Sequence, residues 1–301
     1  MAPVSPHSAR LGPFDARLHR LRKRRAAGGF REHAFLHQRA AEDLAERLEA
    51  IPRPFARALS LGGGGLFGAA VARRPELAAR IGALTETDAA SGAVQLDPEH
   101  LPFAQASFNL IASPLALHWA NDLPGALIQM RQALKPDGLM LASLFGGDTL
   151  NELRMALLEA ESELTGGASM RVAPFADLRD IAALLQRAGF ALPAADRDVT
   201  IVRYATPLKL LADLRIMGET AALAERAPPL TRSVLARAME IYRQRFRDPD
   251  GRVRATFEVI TATGWAPHET QQKPLKPGSA KARLADALKT TEHSAGEKSG
   301  E

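Results

Sequence analysis

Apolar residues recur along this chain first at helical and then at strand spacing. Phe14, Leu18 and Leu21 fall at i, i+4 and i+7, which predicts a helix over 15–25. Leu36, Ala40, Leu44 and Leu48 make a second stripe, predicting a helix over 35–48. Ile51-Pro52-Arg53-Pro54 ends it, because proline biases its neighbour to extended backbone. A short apolar run at 56–61 has strand length. Four glycines and a helical stretch over 66–74 follow, and strand, glycine turn, helix is the opening of a βαβ unit. Further strands are predicted at 80–84, 93–96 and 108–113, then a helix over 123–134. A Lys135-Pro136-Asp137-Gly138 turn leads to a fifth strand over 138–145. The remainder is more helical (149–164, 175–188, 207–217, 231–246), with strands at 200–204 and 256–263. Gly189 stands in the position of a C-cap.

Strands alternating with helices predict an α/β fold, a doubly wound and mostly parallel sheet covered on both faces. The expected organisation is a flexible leader over 1–13, a basic helical arm over 14–50, and one domain over 51–265. That domain carries a helical insertion at about 205–250, and a loose tail rich in Pro, Lys, Gly and Ser follows over 266–301.

Composition narrows the chemistry. At 301 residues and 46% hydrophobic the chain can bury a core. It has no cysteine, which excludes a thiolate nucleophile, a disulfide scaffold and cysteine-ligated metal. The eight histidines are scattered along the chain, and no metal ligand set is expected. No apolar run approaches the ~20 residues of a spanning helix. The net charge of +5 is local. Residues 1–31 hold eight basic groups against Asp15, leaving 31 basic and 33 acidic groups for the other 270 residues. The arm is Arg-rich and acid-poor like a mitochondrial transit peptide, and it reads equally as a structural helix. Its basic run admits three readings: a solvated face, a nucleic-acid contact, and a surface that docks on acidic protein or closes a ligand pocket. No aromatic interleaving supports the second, and no nucleic-acid partner is expected.

The loop Leu59-Ser60-Leu61-Gly62-Gly63-Gly64-Gly65-Leu66-Phe67-Gly68 admits two readings. Gly63, Gly65 and Gly68 satisfy G-x-G-x-x-G, a dinucleotide fingerprint. Equally, small residues here let the amino-acid end of S-adenosylmethionine (SAM) lie against the turn. Downstream come Asp97 before Leu101-Pro102-Phe103, then Ser107-Phe108-Asn109-Leu110-Ile111, and Leu134-Lys135-Pro136-Asp137-Gly138. In that order and spacing they resemble the class I SAM-dependent methyltransferases. A narrower resemblance covers about residues 14–280. It rests on the Arg20–Arg25 run, His118-Trp119-Ala120-Asn121-Asp122-Leu123-Pro124, Phe145-Gly146-Gly147-Asp148-Thr149-Leu150 and Gly264-Trp265. These strings are similar to the methyltransferase-fold assembly factor of respiratory complex I and its alphaproteobacterial relatives. More distantly, they resemble malonyl-acyl-carrier-protein methyltransferases.

The resemblance implies a Rossmann-like class I methyltransferase fold, SAM as cofactor, and methyl transfer to or arginine hydroxylation of a complex I subunit. It implies the bacterial cytoplasm or the mitochondrial matrix, with peripheral association to a membrane complex. A non-catalytic assembly protein on a degenerate fold and an acyl-carrier-protein carboxyl methyltransferase stand as alternatives. Cofactor contacts are expected from Ser60, Gly62, Gly63, Gly64, Glu86, Asp97, Leu115 and His118. Substrate contacts are expected from Trp119, Asn121, Gly146, Gly147, Asp148 and Thr149. The acid that bonds the ribose is Thr85's neighbour Glu86 or its place is taken by Thr85 itself. Ser60 stands where the family loop has an acid and Leu66 where it has its third glycine, so a Leu66 lying beside the glycines would favour the degenerate reading. No catalytic acid–base set is visible, and methyl transfer from an activated sulfonium asks for alignment more than for one.

Overall fold

The computed structural model describes residues 12–88, 94–272 and 290. Met1–Pro267 forms one compact unit and His268–Glu301 another. The predicted leader lies almost wholly outside the described residues, as does most of the tail.

The N-terminal arm is α1 (Ala16–Ala26), α2 (Phe30–His33) and α3 (Phe35–Glu49). Asp15 caps α1 by accepting from Leu18 N–H at 3.0 Å. Then come β1 (Phe55–Leu61), α4 (Leu66–Ala72), α5 (Pro75–Arg80), β2 (Ile81–Asp88), β3 (Val94–Gln95), β4 (Phe108–Pro114), α6 (Leu123–Ala133) and β5 (Leu134–Phe145). The chain closes with α7 (Asn151–Thr165), α8 (Leu178–Arg187), β6 (Ala191–Tyr204), α9 (Pro207–Ile216), α10 (Arg232–Arg245) and β7 (Val253–Trp265).

The strands form one sheet in the order β3-β2-β1-β4-β5-β7-β6. β1, β2, β3, β4 and β5 run parallel, and β7 runs antiparallel to both of its neighbours. On β5, Leu139 and Leu141 face a core shared with α3, α4 and α7. Met140, Ala142 and Leu144 face a second core shared with α6 and α8. Adjacent residues of a strand point to opposite faces, so a run buried on both sides is the mark of a doubly wound sheet.

Three of the differences from expectation have a clear physical reason. β2 runs on to Asp88, past the predicted end at 84, because Thr85–Thr87 continue the ladder with Leu59–Leu61 despite their polar side chains. β6 begins at Ala191, nine residues early. It is an edge strand, where Pro193 costs no ladder bond, and its acids Asp196 and Asp198 pair with Arg47 and Arg39 of α3. The predicted turn at 135–138 survives inside β5 as a kink. Asp137 has φ +60°, and the pairing with β4 jumps from Phe108↔Leu134 to Leu110↔Leu139.

Candidate functional site

After β1 the chain crosses to β2 on one side, and β4 lies on the other, so the strand order reverses between β1 and β4. Open α/β sheets leave a crevice there, beyond the carboxyl ends of the strands. Gly62 and Gly63 after β1, Asp88 at the end of β2, Asp97 and Leu115 wall a cavity of about 50 Å³ at that place. His19, Arg20 and Lys23 of α1 close its remaining side.

The glycines are needed one by one. Gly62 to Gly65 all have positive φ (77°, 76°, 57° and 83°). A Cβ on Gly62 would stand 2.5 Å from Ala116 Cβ, and one on Gly63 2.6 Å from Pro114 Cγ. Larger residues would force the ends of β1 and β4 apart. Leu66 turns into the core with Phe67 and Ala70 and is not part of the cavity wall. The degenerate reading therefore loses the observation that would have favoured it.

Of the residues expected to hold cofactor, Gly62, Gly63, Asp97 and Leu115 border the cavity. Ser60 does not. It is fully buried within the sheet, its hydroxyl has no partner among the described residues, and its carbonyl accepts from Thr87 Oγ1 at 3.0 Å. Gly64 faces the Phe30 ring instead. Glu86 is also off the cavity, and its carboxylate bends back to accept from Gly68 N–H at 3.0 Å, fastening the first turn of α4. The acid of β2 that borders the cavity is Asp88, two residues further on. It is 7% exposed and accepts from Gly64 N–H at 3.2 Å. Drawing the end of β2 at 84 concealed it. Asp97, on the opposite wall, pairs with Arg20 at 3.6 Å.

His118 lies behind Trp119, in a second pocket of about 330 Å³ lined by Phe14, Phe175 and Leu184 among others. Trp119 does border the cavity, and its indole stacks on His19 of α1 with ring centroids 4.9 Å apart. Asn121 is a clasp for the arm. Its Oδ1 accepts from Phe14 N–H at 2.9 Å and its Nδ2 donates to Phe14 O at 3.2 Å. Asn121→Ala removes both bonds, each worth about 0.5–1.5 kcal/mol. It is expected to raise the rate of tryptic cleavage at Arg17 and Arg20 severalfold, read by gel or mass spectrometry.

Gly146, Gly147, Asp148 and Thr149 do not reach the cavity either. The buried Glu258 of β7 organises them. Its carboxylate accepts from Asp148 N–H at 2.9 Å, its backbone carbonyl accepts from Thr149 Oγ1 at 3.0 Å, and a Cβ on Gly146 would meet its carboxylate at 2.5 Å. That string is a turn pinned to β7. Gly147 alone opens outward, onto a groove with Arg154 and Phe175.

One residue absent from the sequence reading organises the cavity's far wall. Glu219, in the segment after α9, is buried and four side chains converge on it. Oε1 meets His37 Nε2 at 3.1 Å and accepts from Lys23 Nζ at 3.4 Å, while Oε2 meets His118 Nε2 at 3.0 Å and accepts from Trp119 Nε1 at 2.7 Å. Burial pushes its carboxyl upward, but Lys23, His118 and the hydrogen bonds outweigh that and hold it well below the usual range. Burial drives the His37 imidazole down to about 4, with Lys23 adding to the shift and Glu219 opposing it. Burial likewise drives His19 down to about 3. A lone Glu between Gly218 and Thr220 carries no local pattern. Only the fold brings it to residues as much as 196 positions away.

Residues 69–142 match a family model described as a methyltransferase domain. The human mitochondrial arginine-hydroxylase NDUFAF5 is 38% identical over 281 residues, covering 90% of this chain and 81% of that protein. The malonyl-[acyl-carrier protein] O-methyltransferase of Halorhodospira halophila is 33% identical over 264 residues, covering 82% of this chain and 87% of that protein. The solved YcgJ protein of a Bacillus superposes with a TM-score of 0.49 at 15% identity, over 76% of this chain and 99% of that one. Identity of that depth along most of the human hydroxylase places this chain in its family, the class I S-adenosylmethionine-dependent methyltransferases.

Proposed function

We propose that this enzyme binds SAM in the cavity beyond β1, β2 and β4 and modifies an arginine side chain of a protein, a subunit of respiratory complex I. The observation that carries the cofactor's placement is the cradle made by Gly62 and Gly63, whose Cβ positions are already taken by Ala116 and Pro114. The donor set suits the cofactor. Asp88 and Asp97 are acceptors on facing walls, matched to a ribose diol and an exocyclic amine, and Leu66 stays out of the way. Bound there, SAM supplies a methyl group on an activated sulfonium, and the protein's part is to hold donor and acceptor in line. Among the described residues no helix is long and apolar enough to cross a membrane. The relatives named as mitochondrial support reading the acceptor as the exposed face of a membrane complex, met from the mitochondrial matrix in a eukaryote or the cytoplasm in a bacterium.

The relatives named arginine-hydroxylases support arginine as the acceptor, and they make two outcomes to separate: methyl transfer from SAM, and oxygen insertion, which draws on dioxygen and an external two-electron reductant with release of water. Mass spectrometry of complex I subunits, with and without the gene, separates them. Loss from one arginine of the mass of an oxygen or of a methylene supports the reading and says which reaction occurs. Identical peptide masses in both strains overturn it.

A further inference from the structure

The cavity carries a cation that belongs to the protein itself. Lys23 reaches from α1 along the cavity wall, its side chain 10% exposed, and its ammonium ends on Glu219. The passage is shaped around a long basic stem. The Phe30 ring lies under the ammonium, 4.9 Å from Nζ to the centroid. Gly218 takes φ +75°, and a Cβ there would stand 2.9 Å from Lys23 Cδ, so any side chain would narrow the passage.

At the closed end Glu219 is 3% exposed. The Trp119 indole is a neutral donor and His37 is neutral near pH 7, which leaves the carboxylate to Lys23 and to His118 Nε2 at 3.0 Å. A buried carboxylate deprived of its cation is strongly destabilising. Lys23 meets that need loosely. Its 3.4 Å contact is long beside the roughly 2.7–2.9 Å of a good ammonium–carboxylate bond. It also comes from the arm, which is held at its start by the Asn121 clasp and over Asp97 by the half-exposed Arg20 pair. That exposed pair contributes about 0–1 kcal/mol, so α1 is held chiefly by His19 stacked on Trp119 and by Leu18 packed beside Phe14 and Trp119.

We propose that the passage between Phe30, Gly218 and Glu219 is a seat for a cationic side chain of the acceptor protein, and that Lys23 is an internal occupant which the acceptor displaces. Glu219 and Phe30 are then specificity residues: they select a guanidinium or ammonium at the tip of a long stem and reject a neutral isostere. As α1 draws back, one cation replaces another, and the carboxylate is never left bare. The inference rests on the reading of a protein side chain as acceptor, and it adds where the side chain's charge is held.

The test uses the full chain and Lys23→Met. N-acetylarginine methylamide, the lysine analogue and the neutral citrulline analogue are titrated calorimetrically with and without SAM. Emptying the seat should tighten binding of the arginine or the lysine probe by about tenfold relative to the unaltered protein. Comparison of those two probes identifies the cation. Citrulline should not bind, and Glu219→Gln added to Lys23→Met should abolish the gain. If Lys23→Met folds and binds SAM but takes neither cation better than citrulline, the proposal fails while the cofactor reading stands. If Lys23→Met folds only when a cationic probe is added, the seat is supported directly. If no cation rescues it and the double variant folds, the pair is a latch and the proposal is overturned.

Discussion

Asp88→Ala is expected to weaken SAM binding about 100-fold, the equivalent of about 2.7 kcal/mol. A hydrogen bond to a charged group contributes about 1.5–3 kcal/mol, and a ribose diol offers two donors to one carboxylate. The same change removes the acceptor for Gly64 N–H, which loosens the glycine cradle. Isothermal titration of the purified variant reads the loss. Glu86→Ala is the control. Its carboxylate caps the first turn of α4 away from the cavity, so affinity should stay within about threefold while stability falls by about 1 kcal/mol. If Glu86→Ala abolished binding and Asp88→Ala did not, the two acids would have to exchange roles.

The second large effect is acid sensitivity. His37 and His19 are held below their ordinary 6.5 in the fold, so the unfolded chain binds protons that the folded one refuses. Stability is then full above pH 6.5 and falls as the pH drops toward 4. For His37 alone the loss is about 3 kcal/mol, at 1.36 kcal/mol per pKa unit. Glu219 acts in the same direction further down: its carboxyl is depressed in the fold, so its contribution is present above 4.5 and is lost below. Urea denaturation at pH 7.5, 6, 5 and 4 (about one step per pH unit across the window in which an unperturbed His titrates) should show midpoints dropping in step. His37→Gln should flatten the upper part of that slope. Glu219→Gln, which strands the Lys23 charge in a buried site, should cost about 3–5 kcal/mol at neutral pH. Stability that is constant from pH 7 to 4 would rule out a neutral buried His37.

The sheet was legible because its central strands are apolar on both faces, and the glycine run announced the first crossover. Legibility failed where tertiary pairing overrides local pattern. Thr85, Glu86 and Thr87 look like a loop and form strand, because the ladder with β1 satisfies their backbone. Asp196 and Asp198 look like a break and lie in an edge strand, because arginines of α3 neutralise them. Of the candidate site residues, the cradle glycines Gly62 and Gly63, Asp97, Leu115 and Trp119 meet at one cavity, because they follow strand ends directly or lie just beyond. The string at 145–149 forms a turn held by Glu258, and Asn121 clasps the arm, so both lie away from that cavity. Glu219 could not have been found from spacing, since its partners come from α1, α3 and the turn after β4.

That separation also sets an order of events on the ribosome. The chain emerges from its N-terminus, so the arm is synthesised first, yet its anchors come late: Asn121 for Phe14, then Leu223, which bridges to Phe14, and Glu219 for Lys23. Nascent chains that have not yet reached Glu219 therefore carry a basic, unanchored helix and an open cofactor crevice. The wall that α1 provides is hung only when the segment after α9 leaves the exit tunnel, and a message truncated before that point would lack β7 as well as the roof of the cleft.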